Sequence, residues 1–126
     1  MTKVIDSSVL LAAILGERGG EVLSSRGDVF HLSMVNLAEV YTKIVERGGS
    51  IADVEAFMQP LPIRIRAFRE AHAMAVASLR PRTMHRGLSL GDRACLGLAM
   101  LIDLPVLTAD TKWAELDLGI DIRLIR

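Results

Sequence analysis

Short apolar runs, each long enough for one buried strand, alternate along this chain with stretches patterned as helices. The strand-like runs are KVID (3–6), DVFHLS (28–33), IRIRAF (63–68), PVLTAD (105–110) and IDIRLI (120–125). Strands separated throughout by helical stretches lead to a parallel sheet, because a parallel partner can be reached only by a crossover. The helical stretches begin with Ser7 to Gly16, for which Ser7 or Ser8 is the expected N-cap, and a short helix ending near Ser25. VNLAEVYTKIVERGG follows and ends at Gly48-Gly49. Ser50 then caps IADVEAFMQPL, and REAHAMAVASLR is expected to stop at Pro81. PRTMHRG reads as a loop, LSLGDRACLGLAMLID as a buried helix ending before Pro105, and TKWAEL as a single helical turn. The expected fold is α/β, a three-layer α/β/α sandwich around a central, mainly parallel twisted sheet of four to five strands. Residues 1–126 show no repeat, low-complexity segment or linker, so one domain is expected.

Apolar residues make up 51% of the chain, enough to fill a core without disulfide or structural metal. Cys95 is the only cysteine, which excludes an internal disulfide and a cysteine-based zinc cage. A reducing cytoplasm is the expected location. VLLAAIL (9–15) loosely imitates a secretion signal, but an acid precedes it and no A-x-A site follows. ACLGLAMLI (94–102) is too short to span a bilayer.

Net charge is zero but unevenly spread. Residues 63–93 carry seven arginines, namely Arg64, Arg66, Arg69, Arg80, Arg82, Arg86 and Arg93, against only Glu70 and Asp92. Arginine is the better fork for phosphate, so a nucleic-acid face is one reading of this segment. A solvated helix surface with dimer contacts is the plainer one.

Open α/β sheets bind ligands beyond the carboxyl ends of their strands, and four acids can reach that one edge. Asp6 ends the first strand, Glu39 lies in the helix after the second, Asp92 opens the buried helix, and Asp110 follows the fourth strand. Each has an ordinary explanation. Asp6 and Asp110 can cap the helices they precede, Glu39 can pair with Lys43 at i+4, and Ser89 with Asp92 has capping-box spacing. Together they are harder to dismiss. Two carboxylates about 4 Å apart repel by about 4 kcal/mol at an effective dielectric near 20. Such a cluster keeps protons or takes up a cation, and an all-oxygen set suits Mg²⁺ or Mn²⁺. His31, His72 and His85 are scattered and suggest no zinc site.

VIDSSVLLA (4–12), NLAEV (36–40), LSLGDRACLGLA (88–99) and VLTAD (106–110), in this order and in a chain of this size, resemble the PIN-domain family, and within it the VapC-type toxins of toxin–antitoxin pairs. The resemblance covers nearly the whole chain. It implies a PIN-like fold and a Mg²⁺- or Mn²⁺-dependent endoribonuclease that cuts RNA phosphodiester bonds. By matching motifs, Asp6, Glu39, Asp92 and Asp110 are the expected acidic quartet. Asp6 and Asp92 are the main metal ligands, and Glu39 and Asp110 act around them or at a second ion. Ser7 and Thr108 stand at supporting hydroxyl positions, and Ser8 fits the Asn or Ser found two places after the first acid. Such a metal lowers the pKa of a bound water and orients it.

Arg82, Arg86 and Arg93, nearest Asp92 in sequence, are the expected RNA contacts outside the acidic pocket. Few aromatics are available for base stacking, and Trp113 reads as a packed lid. The resemblance further implies a cognate antitoxin, a homodimer and no membrane. In SIADVEAFMQPL the residues Ile51, Val54, Phe57, Met58 and Leu61 share one helical face, read as core or as a partner groove. The rival readings are a non-catalytic module of the same fold that binds RNA or protein, and a receiver-like phosphate-transfer domain. A receiver wants paired acids at the first strand and a lysine after the last, neither of which is present. A haloacid-type phosphatase wants D-x-D, and residue 8 is serine.

Overall fold

Five strands form one sheet in the computed structural model, which describes residues 1–126. They are β1 (Thr2–Ile5), β2 (Val29–Ser33), β3 (Ile63–Arg66), β4 (Val106–Thr108) and β5 (Ile122–Leu124), in the spatial order β3-β2-β1-β4-β5. Every pairing is parallel. The helices are α1 (Ser7–Leu15), α2 (Met34–Glu46), α3 (Ile51–Met58), α4 (Glu70–Thr83) and α5 (Leu90–Ile102), with 3₁₀ turns at Gly20–Ser24, Met84–Arg86 and Thr111–Glu115.

The sheet is covered on both faces by two separate apolar clusters. Ile5, Phe30, Leu32 and Leu107 pack on one side against Val9 and Leu10 of α1, Leu37, Val40 and Ile44 of α2, and Val54 of α3. Val4 and Val106 point the other way, to Leu79 of α4, Cys95, Leu96 and Leu98 of α5, and Trp113. Neighbouring residues of one strand thus serve opposite layers, as the two-residue period of a strand requires. Strand order grows outward from β1 in both directions, through β2 to β3 and then from β4 to β5. The crevice between β1 and β4 is therefore the switch point, where open α/β sheets bind ligands.

Two local expectations are corrected. The fourth helix does not stop at Pro81 but runs on to Thr83 and into the Met84–Arg86 turn. Pro81 is exposed, and so is Ala77, whose carbonyl loses its helical partner to the proline and is left to water. Thr83 is fully buried, and its hydroxyl donates to the Leu79 carbonyl at 2.8 Å, which anchors the last turn. At the start of α1 the N-cap is Asp6 rather than either serine, and its side chain makes no capping bond. Of the apolar stripe on α3, Val54 is in the core and Met58 and Leu61 pack against it, while Ile51 and Phe57 are exposed. Trp113 is core rather than a lid, with no exposed surface. No helix is long and apolar enough to cross a membrane.

Candidate active site

Asp6 emerges from the central strand with its backbone N–H bonded to the Leu107 carbonyl of β4 at 3.0 Å, so it sits at the switch point. Its carboxylate is almost completely buried. Oδ2 accepts from the hydroxyls of Ser8, at 2.8 Å, and Thr108, at 3.3 Å. Oδ1 is buried and has no hydrogen-bond partner. Burial pushes the Asp6 pKa from 3.8 up to about 6; the Ser8 hydroxyl opposes the rise, and the charges of Asp92 and Glu39 add to it. The same three carboxylates push up the buried Cys95 thiol, after the larger effect of its burial. Asp6, Glu39 and Asp92 therefore share one electrostatic neighbourhood, above Cys95 of α5.

Glu39 is set by contacts that the helix pattern alone did not disclose. It does not pair with Lys43, whose ammonium lies 3.7 Å from Glu46 instead. The fully buried amide of Asn36 donates to Glu39 Oε1 at 2.8 Å and to the Gly91 carbonyl at 2.9 Å. One side chain thereby fixes the carboxylate on α2 and ties it to the first turn of α5. A Cβ added at Gly91 would overlap the Glu39 carboxylate, so this approach needs glycine. Asn36 was readable as a polar residue in an apolar helix start, one turn before an acid, but nothing in that spacing named its partner.

Asp92 does serve the capping box with Ser89. Its Oδ2 accepts from the Ser89 N–H at 2.9 Å, while the Ser89 hydroxyl accepts from the Asp92 N–H at 3.2 Å. Both roles fit together, because the cap uses one oxygen and leaves Oδ1 free. Asp110 likewise caps the next turn, its Oδ1 accepting from the Lys112 N–H at 2.9 Å and its Oδ2 lying 3.7 Å from the Lys112 ammonium. Its link to Asp6 is indirect, through Thr108, whose hydroxyl also accepts from the Asp110 N–H at 3.0 Å. Asp110 is therefore the outlying member of the four. Of the two serines, Ser8 reaches Asp6, and its oxygen also accepts from the Ala109 N–H at 2.9 Å. Ser7 makes no such bond to Asp6.

The three arginines expected to meet RNA are engaged elsewhere. Arg82 donates to the Asp117 carbonyl at 3.0 Å, Arg86 pairs with Glu115, and Arg93 donates to the Val76 carbonyl of α4 at 3.0 Å. They hold α4, α5 and the segment after β4 together.

No three His, Cys, Asp or Glu side chains converge as a complete ligand set. Asp6, Glu39 and Asp92 each keep one carboxylate oxygen without a protein partner, and Asp6 Oδ1 is buried as well. Hard cations of the Mg²⁺ type are bound by one or two carboxylates and fill the remaining positions with water. The donor chemistry therefore fits such an ion without a closed protein cage.

The sequence profile described as PIN domain matches residues 3–118. The chain belongs to the PIN-domain family. No curated protein matches it. Among solved structures, this PIN domain is similar to the VapBC2 complex of Rickettsia felis bound to a promoter DNA fragment (14% identity, 98% of each chain, TM-score 0.76). It is also similar to VapBC-5 of Mycobacterium tuberculosis (23% identity, 99% of this chain and 98% of that one, TM-score 0.68). A third is VapC20 of the same organism, described as a sarcin–ricin loop cleaving toxin (18% identity, 90% of this chain and 93% of that one, TM-score 0.70). At these identities the likeness carries the fold, and the PIN-like α/β/α architecture read from the sequence is the one found.

Proposed function

We propose that this PIN domain is a Mg²⁺- or Mn²⁺-dependent endoribonuclease and the toxin of a toxin–antitoxin pair. The observation that carries the chemical part is Asp6 Oδ1, a buried carboxylate oxygen without partner beside two further acids. Burying an uncompensated charge is costly, and a divalent cation is the partner that this arrangement accommodates. Such an ion, when bound, supplies charge neutralisation and a water acidic enough to be a nucleophile near neutral pH.

The chain's own groups do the rest. Ser8 and Thr108 hold Asp6 by one oxygen and leave the other without a protein partner. Asn36 holds Glu39 in the same way, and the Ser89 cap holds Asp92. Glu39 and Asp110 are the groups assigned to complete the shell or to accept the proton lost by the attacking water. The toxin assignment draws on the VapBC complexes and the RNA-cleaving VapC20 whose fold this chain shares. An inhibitory antitoxin and a homodimer belong to the same proposal.

Expression in a bacterial host tests it. Growth arrest is expected, relieved by Asp92→Asn and by co-expression of the cognate antitoxin, with new 5′ ends in cellular RNA. Arrest that persists in Asp92→Asn overturns the catalytic reading.

A further inference from the structure

A groove of about 290 Å³ opens beside the acidic site, bounded by Ser8, Leu11 and Leu15 of α1, by Lys43 of α2 and its C-cap Arg47, and by Arg126. Ser8 is the residue whose hydroxyl holds Asp6, so the groove starts where the acidic cluster ends. Glu39 and Lys43 are one helical step of four residues apart on α2, a rise of about 6 Å, and the C-cap Arg47 continues the row four residues on. A row of positive charge thus leads away from the Glu39 carboxylate along one helix ridge.

Lys43 and Arg47 have fewer protein partners than Arg82, Arg86 and Arg93. Lys43 has only an exposed partner in Glu46, at 3.7 Å, which water screens. Arg47 is exposed at the end of α2 and has no ion-pair partner. Arg126 is held by the Arg18 carbonyl at 2.9 Å and lies 3.9 Å from Glu17, the groove's one acid. Arg82, Arg86 and Arg93 are all bonded within the protein.

We propose that Lys43 and Arg47 receive the RNA phosphates next to the cut, and that the backbone runs along α2 through this groove. This rests on the ribonuclease reading above and names its substrate path. Phosphate contacts position nucleic acid without reading bases, and their contribution is salt-dependent through counterion release. The apolar wall from Leu11 and Leu15 suits a sugar or base edge beside the phosphates.

The test is binding of a 5′-labelled RNA hairpin, followed by anisotropy in EDTA between 50 and 200 mM salt. The double variant Lys43→Gln/Arg47→Gln is expected to bind at least tenfold more weakly, with its log–log salt slope reduced by roughly 1.4 for two single-strand phosphates. Lys43→Arg/Arg47→Lys, which keeps both charges, should restore binding, and Arg82→Gln should leave it unchanged. With Mn²⁺, the Gln variant should raise KM and keep kcat, because the acids are intact. Circular dichroism checks that the helix is retained; Lys43 and the C-cap Arg47 are both exposed, so it should be. Wild-type affinity and slope in the Gln variant overturn the proposal, as does a wild type that binds no hairpin. A wild type that binds through Lys43 and Arg47 but never cuts overturns the nuclease reading and leaves this path standing.

Discussion

Asp6→Asn should make the metal-free protein more stable at neutral pH. Asp6 ionises near 6 in the folded chain against 3.8 for the free side chain. The folded state therefore holds this proton more tightly than the unfolded state. Its stabilising contribution is complete below about pH 4 and is lost as pH rises through about 6. A shift of about two units corresponds to roughly 3 kcal/mol of destabilisation at pH 7.5. Asparagine keeps an oxygen for the Ser8 and Thr108 hydroxyls and turns an amide N–H₂ toward Glu39 and Asp92. About 2–3 kcal/mol of gain is expected, or on the order of 10 °C in Tm for a chain of this size. Urea unfolding followed by circular dichroism in EDTA measures it. At pH 7.5 the variant should exceed wild type, and at pH 4.0 the gap should close. Adding Mn²⁺ should stabilise wild type by mass action and the variant much less. A variant less stable than wild type in EDTA at pH 7.5, or a difference that ignores pH, refutes the reasoning.

Asn36→Leu should lower RNA cleavage at least a hundredfold while costing about 1–3 kcal/mol, since it removes the donor that holds the Glu39 carboxylate and the tie to the Gly91 carbonyl; kinetics and urea unfolding read the two effects. Gly91→Ala should displace the Glu39 carboxylate and reduce cleavage more than stability, and a fully active Gly91→Ala would contradict the close approach found there. Mn²⁺ affinity, measured by calorimetry, should weaken below pH 6 as Asp6 takes up its proton. Ser8→Ala removes a hydrogen bond that favours the ionised form, so the same weakening should begin at higher pH.

The layers were legible because the period of the strands and the spacing of breakers set them locally. VID reads as a strand ending in an acid, and β1 does end at Ile5 with Asp6 next. Pro81 misled because its effect depends on which side of the helix faces water and on Thr83 anchoring the turn beyond it. The acids were found by their places after the strands. The caps made by Asp92 and Asp110 are local and follow from spacing, whereas the settings of Asp6 and Glu39 also involve contacts across long sequence separation. Ser8 bonds Asp6 two residues back, but the second hydroxyl on the same oxygen, from Thr108, arrives only with β4. Asn36 acquires its function when α5 supplies Gly91. Arg82, Arg86 and Arg93, taken as RNA contacts from their proximity to Asp92, also meet Asp117, Glu115 and Val76, partners that sequence proximity does not name.

Cleavage of a 5′-labelled structured RNA by the purified protein addresses the central claim most directly. Wild type with Mn²⁺ should yield discrete fragments, and both EDTA and Asp6→Asn should abolish them. RNA that is bound tightly yet stays intact with Mg²⁺ and with Mn²⁺ would contradict a catalytic role for the acidic cluster.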